Sequence, residues 1–310
     1  MRMRKSRVAR REGMALVLTV TVVALLSILV MDFLSRTWVE TATAASYRDE
    51  TKALYAARSG LEAAKLLLML QERGGQMEGF TPEMAATGMP LPVGDEYAFF
   101  SIIDESGKLD LSKLITDRGY PDERWIEYFR RLLAHLELDP NLAGAVVDWM
   151  DSDSDPRYGG AETLYYSGLK PPYRAKNAKF DSVDELSLVK GFEPKVMARI
   201  REHVTVWSSG KLNINTATPM ALMALDDAIT EGMVQELILT RKEKPFKAIN
   251  EITKVPGFSD VFPRIALLIG VSSKHYMVKS SAMINETSKA VIAVYMTTAS
   301  SANTLYYKTL

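Results

Sequence analysis

The sequence predicts an α+β protein in which a long N-terminal helix packs on a small antiparallel sheet and a large all-α insertion interrupts that sheet. Three observations give this prediction. The chain has no proline before Pro82, so nothing breaks a helix that starts near its N-terminus. Strand-like segments lie far apart, at residues 97–104 and near the C-terminus. The sequence between them is helical and repeats itself.

The N-terminus predicts a membrane anchor. An uncharged apolar run extends from Met14 to Met31, close to the roughly 20 residues that one helical crossing needs. Residues 1–13 form a basic leader, and basic flanks stay cytoplasmic, so the chain after Asp32 is expected on the other side of the membrane. The basic residues of the leader are Arg2, Arg4, Lys5, Arg7, Arg10 and Arg11. A secretory signal and an ordinary signal anchor are the alternatives, but a secretory signal has a shorter apolar core with a small residue after it.

Here the small residue, Gly13, comes directly before the apolar run, and this arrangement resembles the leader of type IV pilin-like proteins. In that family a dedicated prepilin peptidase cleaves after such a glycine, which implies that the mature chain begins at Met14. Major pilins and pseudopilins have glutamate at the fifth mature position, where this chain has Leu18. The absence of this acid resembles one relative in particular, the large minor pseudopilin K of type II secretion systems.

Beyond the anchor, apolar residues at three-to-four spacing predict that the helix continues from Phe33 to about Gln71. These residues are Leu54, Ala57, Leu61, Ala64 and Leu68, and Gly60 alone interrupts the pattern. A loop rich in glycine and proline is expected over residues 72–96.

A strand is expected over residues 97–104, and two β-branched and aromatic runs around Asn285 predict a late hairpin. Because a lone hairpin is only marginally stable, the late strands are expected to pair with the early one. Residues 32–104 and 273–310 would then form one α+β unit, interrupted by the insertion.

The insertion contains an internal repeat. Residues 180–200 align with residues 246–265, so that Gly191 and Gly257 occupy equivalent positions in a V-x-G-F turn. A second, shorter repeat pairs SGKLDLSKL with SGKLNINTA. We therefore expect two units, residues 105–207 and 208–272, with helix-hairpin-helix-like turns in which glycine permits a tight reversal. An amphipathic helix in the first unit is expected to bury Trp125, Phe129, Leu132, Leu133 and Leu136.

Helix-hairpin-helix repeats often bind DNA backbones, and GKLNINTATPMALMAL is similar to the DNA-receptor domain of competence systems. The first hairpin of that domain is glycine-rich, whereas this chain has Asp226 and Asp227 there. Residues 213–264 contain six basic and seven acidic residues, and phosphate binding needs a basic excess. No nucleic-acid partner is expected, and a protein-interaction role for the repeats is favoured. A DNA-uptake receptor or minor pilin is kept as the alternative, beside a plain anchored scaffold.

One loop of the first unit has the composition of a calcium site. Residues 139–162 hold six acids against the single Arg157. The candidate ligands are Asp148, Asp151, Asp153, Asp155 and Glu162. Counted from Asp151, four of them fall at positions 1, 3, 5 and 12 of an EF-hand, but Pro156 replaces the glycine at position 6. The sequence thus favours an irregular Ca²⁺ site, with a solvated acidic loop as the alternative.

The whole order of motifs resembles pseudopilin K of type II secretion systems. These motifs are the Gly13 leader, Leu18, DESGKLDL, DWMDSDSDPRYGGAE, LVKGF and GKLNINTA, and they extend over nearly the whole chain. The resemblance implies a pilin-like fold that binds calcium in the acidic loop and is anchored in the inner membrane. It implies a place at the tip of a short periplasmic pseudopilus, where the protein helps to start assembly. The implied partners are the I-type and J-type minor pseudopilins, the major pseudopilin, the prepilin peptidase, the inner-membrane secretion platform and membrane lipid.

Composition and motifs give no support to an enzyme. The 38 basic and 38 acidic residues balance, and the absence of cysteine excludes disulfides and thiol chemistry. The histidines His135, His203 and His275 are scattered, and neither G-x-S-x-G nor H-E-x-x-H occurs. Each histidine is expected to have a surface or packing role.

Overall fold

The computed structural model describes residues 5–72, 74, 88–298 and 300–310, and for residues 5–13 it describes the backbone alone. The start of the expected leader and most of the expected 72–96 loop lie outside the described residues. The helices are α1 (Lys5–Glu72), α2 (Glu123–His135), α3 (Leu142–Met150), α4 (Thr163–Ser167), α5 (Pro194–Ile200), α6 (Pro219–Met223), α7 (Glu231–Glu243) and α8 (Phe258–Ile265). The strands are β1 (Met89–Val93), β2 (Glu96–Asp104), β3 (Leu109–Asp110), β4 (Val204–Thr205), β5 (Leu212–Asn213), β6 (Ile269–Gly270), β7 (His275–Ile284), β8 (Thr287–Thr297) and β9 (Ala302–Thr309). The α+β class is confirmed.

Helix α1 is continuous from Lys5 to Glu72. Its described side chains from Met14 to Ala44 are exposed, and burial begins near Asp49. The apolar part has a mean hydropathy of 2.8 over 18 residues, so its length and composition suit a membrane crossing. The N-terminal half of α1 therefore extends away from the folded part of the chain.

The second half of α1 packs on a five-stranded antiparallel sheet of order β1-β2-β7-β8-β9. The expected apolar face is confirmed, because Ala57, Leu61, Ala64 and Leu68 are buried and Leu54 packs against them. Gly60 does not interrupt the helix. A Cβ atom there would overlap Ser280 Oγ, so glycine lets α1 approach β7 closely.

Three details of the predicted fold are wrong. Residues 89–93 form the edge strand β1 within the expected loop, and its Pro90 and Pro92 are tolerated because an edge strand has one unpaired side. Strand β9 was not predicted from the sequence. The insertion is not all-α, since β3 pairs with β4 and β5 with β6 in parallel. Strands of two residues are too short to show an alternating pattern.

The insertion follows β2 and returns to the sheet at β7. Its two parallel strand pairs have equivalent registers, Leu109 with Val204 and Leu212 with Ile269. Gly191 and Gly257 both adopt the left-handed conformation, with φ of 86° and 85°, between a 3-10 turn and a short helix. The repeat seen in the sequence thus corresponds to a repeated backbone frame. Both units share one apolar core, which includes the five apolar residues expected on α2.

A partly buried polar junction joins the insertion to the sheet. Asp104, the last residue of β2, accepts hydrogen bonds from Asn213 Nδ2 at 2.9 Å, Thr216 Oγ1 at 2.6 Å and Ser273 Oγ. The junction lies at the end of the sheet where Thr297 Oγ1 donates to Glu72, the last residue of α1. At the opposite end, Asn285 in the β7–β8 turn donates to Asp49. The insertion therefore emerges at the end of the sheet farther from the N-terminal half of α1.

Candidate metal site

Three of the five predicted ligands form a compact group. Asp151 directly follows α3, Glu162 directly precedes α4, and Asp153 lies in the connecting loop. One carboxylate oxygen of each lies within 4.8 Å of the others. Asp151 and Glu162 are 11 positions apart in sequence, and they lie close together because the loop between α3 and α4 turns back on itself.

Two of the three residues are buried, and Asp153 is exposed. Asp151 is 2% exposed and Glu162 6% exposed, and one oxygen of each (Asp151 Oδ1 and Glu162 Oε1) is buried without a hydrogen-bond partner. Burial, reinforced by the neighbouring carboxylates, raises the pKa of Asp151 to about 6 and the pKa of Glu162 to about 7. Buried, unpartnered acceptors that repel one another need either protons or a cation.

The other two predicted ligands lie elsewhere. Asp148 is fully buried, and its carboxylate accepts the backbone N–H of Arg157 at 3.0 Å, together with a hydrogen bond from the backbone of Ala161. Asp148 therefore fixes the part of the loop that contains Arg157 and Ala161, and it adds negative charge beside the group. Asp155 is exposed, and its backbone N–H donates to Asp153 Oδ1 at 2.9 Å. The EF-hand spacing predicted Asp155 as a ligand, but its carboxylate is not part of the group.

Aromatic packing fixes the two ends of the loop. Tyr166 of α4 is fully buried, with its ring 5.0 Å from the ring of Trp149 in α3. The Tyr166 hydroxyl accepts the backbone N–H of Lys190 at 3.2 Å, and Lys190 Nζ donates to Gly160 O at 2.9 Å. The acidic loop is thereby tied to the left-handed turn at Gly191, and the positions of Asp151 and Glu162 are set by a packed frame.

The donor set fits a hard cation such as Ca²⁺. All three residues offer carboxylate oxygens, and Asp151 and Glu162 each have one buried oxygen with no hydrogen-bond donor among the described residues. Calcium accepts six to eight oxygen ligands in flexible geometry, so three carboxylates would leave positions for backbone carbonyls or water. Asp151, Asp153 and Glu162 are the residues that would hold the ion.

The remaining predicted positions are dispersed. Gly13 and Met14 lie within α1, and Leu18 is exposed on its apolar part. His203 and His275 are half-buried, and burial lowers the pKa of each. Asp226, in the hairpin compared with DNA receptors, receives two hydrogen bonds from the guanidinium of Arg264, at 2.6 and 2.8 Å. Asp226 therefore positions α8 and offers no donor to a phosphate.

Asp104, the central residue of the junction, was not among the predicted functional residues. Asp104 is the first residue of the motif DESGKLDL, and Asp110 in that motif corresponds to Asn213 in GKLNINTA. Both side chains accept the backbone N–H two residues later. Because this Asx turn occurs in both motifs, the repeat could have indicated that Asp110 and Asn213 have structural roles.

A long helix with an apolar N-terminal half, packed on an antiparallel sheet with a helical insertion, defines the class of pilin-like subunits with an added domain. Two family models, each described as type II secretion system (T2SS), protein K, match residues 107–209 and 212–272, together more than half of the chain. The chain belongs to the type II secretion system protein K family.

Curated relatives agree with this assignment, and a solved structure has the same fold. The type II secretion system protein K of Pseudomonas aeruginosa is 28% identical over 79% of this chain and 76% of its own length. The Aeromonas hydrophila protein of the same name is 30% identical over 55% of this chain, and the match spans 55% of that relative. A chain of the GspK–GspI–GspJ complex from enterotoxigenic Escherichia coli has the same fold, with a TM-score of 0.72 at 17% identity, covering 87% of this chain and 99% of that one.

Proposed function

We propose that this protein is a minor pseudopilin at the tip of the type II secretion pseudopilus, anchored in the inner membrane with its bulk in the periplasm. There it would start pseudopilus assembly and contribute to protein export across the outer membrane. Its partners would be the I-type and J-type minor pseudopilins and the major pseudopilin. The prepilin peptidase would cleave between Gly13 and Met14.

The observation that supports the tip position best is where the insertion leaves the sheet. It emerges beside Asp104 and Ser273, at the end of the sheet near Glu72, whereas the apolar half of α1 extends from the other end. In a filament whose subunits stand with α1 roughly upright, the insertion would occupy the space of a subunit stacked above. A subunit with such an obstruction fits only at the end of the filament.

Leu18 supports the same position. In pilin-like filaments the acid at the fifth mature position is thought to meet the N-terminal amine of a neighbouring subunit, and an uncompensated charge inside lipid costs several kcal/mol. Leu18 cannot make that contact. A first subunit has no neighbour ahead of it, so the missing acid leaves no charge unpaired there.

The acidic group would bind one Ca²⁺ in the periplasm and so stabilise the first unit of the insertion. This part of the proposal rests on the two buried, unpartnered oxygens of Asp151 and Glu162. The metal would hold the loop against the repulsion of three carboxylates. It has no catalytic part in the proposed function.

The tip position is tested with labelled full-length protein in cells that overproduce the pseudopilus. We expect label at one filament end only, with an intact mass that begins at Met14. Gly13→Phe should leave a full-length precursor that is absent from filaments, because the peptidase needs a small residue before its cut. Gly232→Ala is the matched control and should assemble normally, because beyond the adjoining residues and the backbone of its own helix the nearest atom to the added methyl is Thr230 Oγ1 at 3.9 Å. Label spread along the filament length would disprove the tip position.

A further inference from the structure

The face of the five-stranded sheet that points away from α1 has an exposed apolar patch. Ala98 and Phe100 of β2 are buried against α1, so the alternate residues Tyr97 and Phe99 point outward. Phe99 pairs with Pro90 of β1 on one side and with Ser281 of β7 on the other. We call this surface the outer-sheet patch. It consists of Pro90, Pro92, Tyr97, Phe99 and Met283.

This composition departs from what a solvent-facing sheet shows. An antiparallel sheet with one face in water normally places polar residues on that face. Here Tyr97, Phe99 and Met283 are 57%, 52% and 60% exposed. Contiguous apolar side chains with a polar border mark protein interaction sites. Aromatic residues and methionine are also the types enriched where protein surfaces meet.

The border of the patch is acidic at its outer end. Asp95 and Glu96 lie at the β1–β2 turn and Glu286 lies in the β7–β8 turn, all exposed and none in an ion pair within the described part of the chain. Lys279 is exposed on the same face, but its neighbours along the sheet are Ser101 and Ile292, beyond the row that contains Phe99. The partner that complements the outer end therefore needs positive charge.

This charge distribution separates the possible occupants. A second copy of the chain, docked face to face, would bring two acidic borders together, and like charges across an interface are unfavourable. An anionic bilayer surface would repel the same carboxylates. A separate protein with apolar side chains bordered by lysine or arginine meets both requirements.

We propose that the outer-sheet patch is the docking surface for a protein partner whose apolar contact residues are bordered by Lys or Arg. Resting on the proposed function, this partner is a companion minor pseudopilin. The patch lies toward the sheet end where Asn285 contacts Asp49, opposite the Asp104 junction. The partner thus binds beside the sheet and leaves the insertion uncovered.

The test uses the full-length chain in nanodiscs and the other two minor pseudopilins of its own secretion system, purified in full length. One variant combines Tyr97→Ser, Phe99→Ser and Met283→Ser, and a second combines Asp95→Lys with Glu96→Lys. We expect each to weaken binding to one companion by about tenfold or more, as for residues at an interface centre and at a complementary charged border. The charge variant should also reduce the salt dependence of the association rate.

The control variants change exposed residues of the insertion and should leave affinity unchanged. They are Leu239→Ser combined with Leu267→Ser, matched to the serine variant, and Glu243→Lys, matched to the charge variant.

Each outcome is decisive. If the wild type binds a companion and both patch variants bind equally well, the docking surface is wrong and the proposed function stands. If the wild type binds neither companion, the proposed partnership itself fails. If the patch variants instead convert a wild-type dimer to monomer in sedimentation, or abolish binding to anionic vesicles, the occupant is a second copy or a bilayer. A circular dichroism spectrum of the serine variant that matches that of the wild type would show that the variant is folded. The charge variant tests the same surface without removing an apolar side chain.

Discussion

The two units of the insertion share a frame but differ in one segment. Each has a two-residue parallel strand pair, an Asx turn at Asp110 or Asn213, and a left-handed glycine that faces a side chain of α3 in the first unit or of α7 in the second. In the second unit, residues 244–248 alone lie between α7 and the next 3-10 turn. In the first unit, residues 151–182 fill the corresponding interval and contain the acidic group and α4.

The difference shows how a binding loop can be added to a repeated frame without changing it. The added segment leaves the frame at Met150 and returns to it at Val183, and its own packing comes from the rings of Trp149, Tyr166 and Tyr173. The second unit closes with a short connection, and among the described residues it has no such acidic group. Stability that depends on metal is therefore expected in the first unit and not in the second.

The sharpest test of this difference is removal of calcium. If Asp151, Asp153 and Glu162 bind Ca²⁺, the ion stabilises the folded state by about 3 to 4 kcal/mol when its concentration is 100 to 1,000 times Kd. We expect a chelator to lower the melting temperature of the full-length protein in detergent, measured by near-ultraviolet circular dichroism. Asp151→Ala with Asp153→Ala should abolish the difference between calcium and chelator. Asp226→Ala in the second unit is the control and should preserve it. Superimposable melting curves with and without calcium would make the loop a solvated acidic segment.

The second test is the pH dependence of the metal-free protein. The folded-state pKa values of Asp151 and Glu162 are raised to about 6 and about 7, above the unfolded values of 3.8 and 4.5. The folded state therefore binds more protons than the unfolded state, so this contribution is complete below about pH 4 and is lost as pH rises toward 7. We expect the free energy of unfolding to fall by on the order of 2 kcal/mol over this window.

Urea unfolding in chelator at pH 5 and pH 7.5 measures this change, and Asp151→Asn with Glu162→Gln should remove most of it. Calcium should flatten the dependence in the wild type, because the ion takes the place of the protons. A wild type and a neutralised variant with the same pH profile would show that the two carboxylates are already compensated in the folded protein.

Much of the architecture could be predicted from the sequence, because its signals are local or repeated. The apolar face of α1 was predicted from three-to-four spacing, the late hairpin at Asn285 from two β-branched and aromatic runs, and the glycine turn from the internal repeat, and all three are confirmed. Strand β1 was not, because its two prolines suit an edge strand and a loop equally well. The candidate site was predicted as a set of five acids, and only three converge. Whether Asp148 faces the group or the backbone of Arg157 depends on how the loop folds back, and residue spacing does not contain that information.

The third test asks whether the frame is equivalent in the two units. Gly191 and Gly257 both have φ near +85°, where a Cβ atom is strained by about 1 to 3 kcal/mol. In addition, a Cβ atom at Gly191 would overlap Leu142 Cδ2, and one at Gly257 would lie 2.9 Å from Met233 Sδ. Both neighbours are ends of flexible side chains that can move aside, so backbone strain should dominate the cost in both units. We expect Gly191→Ala and Gly257→Ala to lower the free energy of unfolding by similar amounts, about 1 to 2 kcal/mol each, in the presence of calcium.

Gly232→Ala provides the matched control. This glycine lies in the first turn of α7 with ordinary helical backbone, so alanine should leave stability unchanged or raise it by up to about 1 kcal/mol. Urea unfolding of the three variants in the same buffer gives the comparison. If Gly191→Ala costs much more than Gly257→Ala and also weakens calcium binding, the turn at Gly191 belongs to the metal loop through Lys190 and Tyr166, and the two units are not independent copies of one frame. If the two costs match and calcium affinity is unchanged, the acidic loop is an addition that the frame tolerates without adjustment.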